Sequence, residues 1–157
     1  MKKTLRVGNT RKSTKRDPES VRPWEIAAII RAVNLERNLL DLADFIQVIL
    51  WTGLNPAMVQ GISWSDVHFD DRHLIARSAR TLHTVCIPLP APVLDRLRVR
   101  HERYPNDECV FSSECLRESK KKLQELSENV LGRALKLEHL RDAKLNGWIR
   151  FNSKALL

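Results

Sequence analysis

The sequence predicts an α+β domain, mainly α, carrying a small antiparallel β-sheet. Three observations lead there. Apolar residues recur every three or four positions through most of the chain, the spacing that lines one face of a helix. Two short segments rich in Ile, Val, Leu and Thr, His73 to Arg77 and Thr84 to Leu89, stand close enough for a hairpin. A chain of 157 residues, 43% hydrophobic and 29% charged, has the size and make-up of one packed domain.

Residues 1–20 read as a basic arm and residues 21–157 as the folded unit. Lys2, Lys3, Arg6, Arg11, Lys12, Lys15 and Arg16 stand there with no acid among the first sixteen residues, and only Leu5 and Val7 are sizeable apolar groups. Such a segment cannot offset its ordering entropy by burial and is expected to be disordered until bound. Pro23-Trp24-Glu25 opens the first helix, proline being tolerated in the first turn, and Ile26, Ile29, Ile30 and Val33 give its apolar face. Leu39, Leu42, Ala43, Ile46, Ile49 and Leu50 mark a second helix, the most buried, running through Trp51 to Thr52-Gly53, where glycine takes the left-handed cap.

Asn55-Pro56 then predicts the N-cap and first-turn proline of a short third helix. Turns at Ser65-Asp66 and Asp70-Asp71 precede the hairpin, whose connection runs from Ser78 to His83 without an Asn-Gly pair. Pro92 starts a helix through Val93, Leu94 and Leu97 that breaks at Pro105-Asn106-Asp107, and Cys109-Val110-Phe111 is a minimal third strand. Leu123, Leu126, Val130 and Ala134 mark a longer helix with Lys120-Lys121-Lys122 at its start. A last helix uses Leu137, Leu140 and Leu145 and should stop near Asn146-Gly147.

Charge and composition narrow the function. The net charge of +8 comes from the arm, because residues 17–157 hold 20 bases against 19 acids. Within the body, residues 117–157 carry ten bases against five acids, so a polyanion would dock on the C-terminal third. Cys86, Cys109 and Cys115 lack the paired spacing of a zinc or disulfide site and are expected to be reduced, mostly buried thiols. With His68, His73, His83 and His101 they give no metal-ligand pattern, and no phosphate loop is present, so neither metal nor cofactor is expected. Trp24, Trp51, Trp64 and Trp148 read as core. The sequence has no long apolar run and no apolar leader, which predicts a cytoplasmic protein without membrane contact.

Thr52-Gly53-Leu54-Asn55, followed by Ile62-Ser63-Trp64-Ser65-Asp66-Val67, resembles the catalytic domain of tyrosine recombinases, the phage integrase family. The likeness continues through Ser78-Ala79-Arg80-Thr81 and Val85-Cys86-Ile87-Pro88-Leu89, similar to the family's lysine-bearing hairpin, and through Val110-Phe111. Glu138-His139-Leu140-Arg141-Asp142 is similar to its second arginine box. Across residues 21–150 the resemblance implies the recombinase fold and chemistry in which a tyrosine attacks a DNA phosphodiester, arginines hold the developing charge and a lysine protonates the leaving oxygen.

Set against that pattern, the chain departs at most catalytic positions. Asn55 stands at the first arginine, Met58 at a helix glutamate, Arg80 at the hairpin lysine and Glu138 at the box histidine, with His139 one residue out of register. Asparagine cannot clamp a phosphate bidentately, and arginine is a poor proton donor though still a phosphate contact. Arg141 alone matches its position, where the competing role is an ion pair with Glu138 at the i, i+3 spacing. The chain ends at Leu157, before the family's nucleophilic tyrosine, and Tyr104, the only tyrosine, reads as a surface aromatic.

These departures imply a truncated, degenerate integrase-like pseudoenzyme from a phage or mobile element, which binds DNA without cutting it and serves as an accessory or regulatory factor. Arg80, Arg141, Lys120, Lys121, Lys122 and the arm are the expected DNA contacts. Two other readings stand beside it. One is an interaction module that acts on an intact recombinase, another partner or a second copy of itself without DNA. The other is a recombinase subunit using a tyrosine supplied in trans.

Overall fold

A computed structural model describes residues 20–145. Among the described residues are six helices and a three-stranded sheet: α1 (Pro23–Leu35), α2 (Leu40–Thr52), α3 (Pro56–Gln60), β1 (Val67–His68), β2 (His73–Arg77), β3 (Thr84–Pro88), α4 (Ala91–Arg103), α5 (Ser113–Leu131) and α6 (Leu137–Leu145). Short 3-10 turns at Arg37–Leu39 and Trp64–Asp66 lead into α2 and β1. The strands are antiparallel in the order β1-β2-β3, with Ile75 opposite Cys86 and Arg77 opposite Thr84.

The most apolar helix sits in the middle. All but three of the thirteen α2 residues are buried, and α2 packs against each of the other five helices. Phe45 and Leu50 fill its surroundings, and Phe45 meets Phe111 edge-on with ring centroids 4.7 Å apart. Gly53 ends the helix at φ 70°, its amide donating to the Ile49 carbonyl at 2.8 Å, as the glycine cap requires. The first helix, the α2 core and the Asn55-Pro56 cap of α3 lie where the sequence places them, as do the hairpin strands, β3 ending at Pro88, one residue before Leu89.

Several expectations need correction. The third strand is Val67–His68, two residues and so too short to show a sequence pattern. Cys109 makes only a lone bridge to Ser63, because the 108–110 segment pairs with the loop before β1 and not with the sheet. The cysteines are free, but Cys86 and Cys109 are exposed and Cys115 is half-buried. Cys86 lies on the outermost strand with its side chain opposite in sense to buried Ile87, and Cys109 precedes the buried pair Val110 and Phe111. Trp24 is 57% exposed because it shares a helix face with Arg31, seven residues on, away from Ile26 and Ile29, while Trp51 and Trp64 are half-buried.

The long helix begins earlier than the apolar spacing suggests. Ser112 caps it, Oγ accepting from the Cys115 amide at 3.0 Å, so Lys120–Lys122 stand mid-helix and not at its start. It ends at Gly132 (φ 73°), leaving Ala134 exposed in the following loop and Val130 at the exposed rim. Residues 1–19, which hold the basic arm, and residues 146–157, with Trp148 and the predicted stop at Asn146-Gly147, lie outside the described residues. The Leu145 side chain does as well. No helix among the described residues is long and apolar enough to cross a membrane.

Candidate nucleic-acid interface

Asn55 sits where α2 hands over to α3. Thr52 Oγ1 donates to the Val48 carbonyl at 2.6 Å and accepts from the Leu54 amide at 3.2 Å, which turns the chain outward past Gly53. Asn55 then caps α3, its Oδ1 accepting from the Met58 amide at 2.8 Å. Its side-chain oxygen is thus occupied by the backbone, and Met58 packs half-buried against the core. Asn55→Ala should lower stability by about 1 kcal/mol in urea titration, the usual worth of such a cap, and leave DNA binding unchanged. A drop in DNA affinity would make Asn55 a contact.

Arg80 stands in the connection between β2 and β3, exposed, and Arg141 stands exposed on α6. Neither forms an ion pair among the described residues, nor do the exposed Arg31, Arg37 and Arg72, whereas Arg77, Arg96, Arg98, Arg100, Arg103, Arg117 and Arg133 are all held by carboxylates. Glu138 does not take Arg141 at the i, i+3 spacing; Lys120 Nζ stands 3.8 Å from its Oε1 and ties α5 to α6. Lys121 faces Glu125 on its own helix at 4.0 Å, and Lys122 donates to the Asn38 carbonyl at 3.1 Å. The three lysines therefore point three ways, and only Lys120 meets another predicted site residue. His139 is half-buried, its Nδ1 accepting from the Lys136 amide at 3.2 Å.

The hairpin is anchored at its base. Ser63 donates through its backbone N–H and its hydroxyl to Asp66 Oδ2 at 3.1 and 2.9 Å, and Arg77 at the end of β2 donates to Asp66 Oδ1 at 2.6 Å. Burial works against the charge on Asp66, but these hydrogen bonds together hold its carboxyl below the usual range.

A second polar centre lies outside the residues that the sequence singles out. Arg100 on α4 is 3% exposed and donates to the Val110 carbonyl at 2.7 Å, to Asp41 at 2.6 Å and to Asp44 at 3.3 Å, with its guanidinium 4.4 Å from the Phe111 ring centroid. Asp44, equally buried, also takes Arg96 at 2.8 Å and Arg103 at 3.3 Å. Burial pushes the Asp44 carboxyl up despite the three guanidiniums. The signal was present in the sequence as two acids three apart on α2 facing bases four and three apart on α4.

Tyr104 belongs to this centre and not to the open surface. Its hydroxyl lies 3.0 Å from both Asp41 oxygens, and burial, with the Asp41 carboxylate second, pushes its pKa up. A phenol so held is a poor nucleophile. Beside it opens a cleft of about 190 Å³ lined by Asp41, Arg100, Tyr104, Cys115, Ser119 and Lys122. Asp41, Arg100, Tyr104, Cys115 and Ser119 there are linked to one another by hydrogen bonds.

This order of helices with a three-stranded antiparallel sheet is the fold of the tyrosine recombinase catalytic domain. XerA recombinase superposes with a TM-score of 0.66 over 88% of this chain and 56% of its own, at 15% identity. The Tn1549 transposon integrase, solved in complex with a circular intermediate DNA, gives 0.67 over 90% and 57% at 14% identity. The lambda integrase catalytic core gives 0.64 over 86% and 85% at 16% identity. The chain thus spans little more than half the length of the first two and most of the third. No protein-family model and no curated protein matches it by sequence.

Proposed function

We propose that this chain is an integrase-like DNA-binding domain, related to site-specific recombination, that acts without strand cleavage as an accessory or regulatory factor. One observation carries the binding half: Arg80 and Arg141 stand exposed without a carboxylate among the described residues, on a fold whose neighbours include an integrase solved on DNA. A free guanidinium is the group that exchanges counterions for phosphate. The loss of chemistry is supported by Asn55, whose amide caps a helix where the resemblance implies an arginine, and by Tyr104, held against Asp41.

Binding to labelled duplex across a salt series tests it. Arg80→Ala and Arg141→Ala should each flatten the slope of log affinity against log salt by about one unit, and removal of residues 1–16 should flatten it by about six. An unchanged slope would exclude the arm or the arginine in question. Incubation with nicked recombination-site DNA should give no covalent adduct, and an adduct through Tyr104 would overturn the inactive reading.

A further inference from the structure

The connection between β2 and β3 displays a leucine in a conformation that leucine avoids. Leu82 has φ 55°, in the left-handed region where glycine or asparagine is usual. Its side chain is 87% exposed, so no core contact explains the strain. Yet the loop is pinned. The Ser78 amide donates to the His83 carbonyl and the Leu82 amide to the Ser78 carbonyl, both at 3.0 Å, while the Thr81 amide donates to Ser78 Oγ at 3.3 Å. Arg77 at the foot of the loop is tied to Asp66. The closing hydrogen bonds impose this backbone sign, as the β1–β2 turn does at Arg72 (φ 55°), and they hold an apolar side chain out on a fixed loop.

The surroundings name the chemistry of what it meets. The loop from Ser78 to His83 has no Asp or Glu; Arg77 at its foot is taken by Asp66, while Arg80 keeps no carboxylate among the described residues. The neighbours Arg80, Thr81, His83 and Thr84 are exposed and polar, so Leu82 is the large aliphatic side chain of the tip, with Val85, 43% exposed, three residues on in β3. A duplex groove suits such a tip, since phosphates take the polar donors and one aliphatic side chain can part a base step. We propose that Leu82 is a wedge that inserts at a base step of duplex DNA, with Arg80 holding the adjacent phosphate. The inference rests on the DNA-binding reading above and adds to it a local distortion of the duplex.

The probe is a duplex with 2-aminopurine at a flexible TA step, whose fluorescence rises on unstacking. The wild-type protein should raise the signal. Leu82→Gly and Leu82→Asn, both suited to the left-handed backbone, should keep or raise the melting temperature, abolish the rise and weaken binding about tenfold. They should leave the salt slope unaltered, because no charge is removed. Arg80→Ala should do the reverse, flattening the slope while some unstacking persists. Wild-type binding without a fluorescence rise, or a Leu82→Gly variant that binds and unstacks like the wild type, would overturn the wedge alone. A change of oligomeric state in Leu82→Gly with DNA binding intact would assign the leucine to a protein partner and overturn it too. No duplex binding by the wild type would sink the DNA-binding reading and the wedge with it.

Discussion

Arg100→Leu should lower stability by about 3–5 kcal/mol, because it leaves two carboxylates facing a buried site without their main partner. Asp44 is 3% exposed and keeps only the flanking Arg96 and Arg103, and the Val110 carbonyl loses its donor at 2.7 Å. Against a whole-domain stability of about 5–15 kcal/mol this is a large fraction, and the melting temperature should fall by about 10–20 °C. Two further readouts separate an orphaned charge from lost packing. Arg100→Leu combined with Asp44→Asn should recover part of the loss, since the amide carries no charge to desolvate.

Acidification should narrow the gap as well. A carboxyl whose folded pKa is raised contributes stability when protonated and loses it as pH rises through that value. Removing Arg100 raises Asp44 further, so the deficit should be largest near neutrality and shrink toward acid. Urea midpoints at neutral and acid pH measure it. A deficit that is small, or constant with pH, would show that Asp44 is not charged in that site.

The elements built from strong local signals were legible. Gly53, Asn55-Pro56 and the apolar spacing of α2 each act through nearest neighbours along the chain, and each holds in the structure at the predicted residue. What escaped depends on partners distant in sequence. The Val67–His68 strand exists only because Leu74 and His73 lie opposite it. The Ser112 cap is present in the sequence, but the lysines beyond it place the helix start seven residues too late. Asp41, Asp44 and Arg100 meet across 56 to 59 residues of chain, and Tyr104 looked solvated because its partner Asp41 is 63 residues away. At the candidate interface the sequence marked Arg80 and Arg141 as cations but not whether a carboxylate held them. It gave no sign that Leu82 is strained, since backbone sign at a loop tip is set by the closing hydrogen bonds.

The second large effect belongs to the contact that fixes the loop delivering α6. Glu25 accepts from Arg133 Nε and Nη2 at 2.8 and 2.6 Å and from the Arg22 amide at 2.8 Å, while Arg133 also donates to the Ser20 carbonyl at 3.3 Å. Next to it the Leu135 amide donates to buried Ser127 Oγ at 2.8 Å, so the chain enters α6, and with it the helix of Arg141, from a fixed point. The Arg133 hydrogen bonds, with the Arg22 amide helping and burial opposing, hold the Glu25 carboxyl below its ordinary value. A lowered folded pKa means stabilisation that is complete above the ordinary glutamate value of 4.5 and is lost as pH falls below it. Arg133→Ala should therefore reduce stability at neutral pH by about 2–3 kcal/mol, the worth of charge-assisted hydrogen bonds to a buried carboxylate. Its acid limb should be shallower than that of the wild type. Asp66, also lowered and untouched by the change, adds the same acid loss to both proteins, so the difference between the two curves isolates Glu25. Parallel curves from neutral pH into acid would mean that Glu25 is held by its helix alone. In that case the start of α6 would be fixed by Ser127 and the packing of Leu137 and Leu140, without the ion pair.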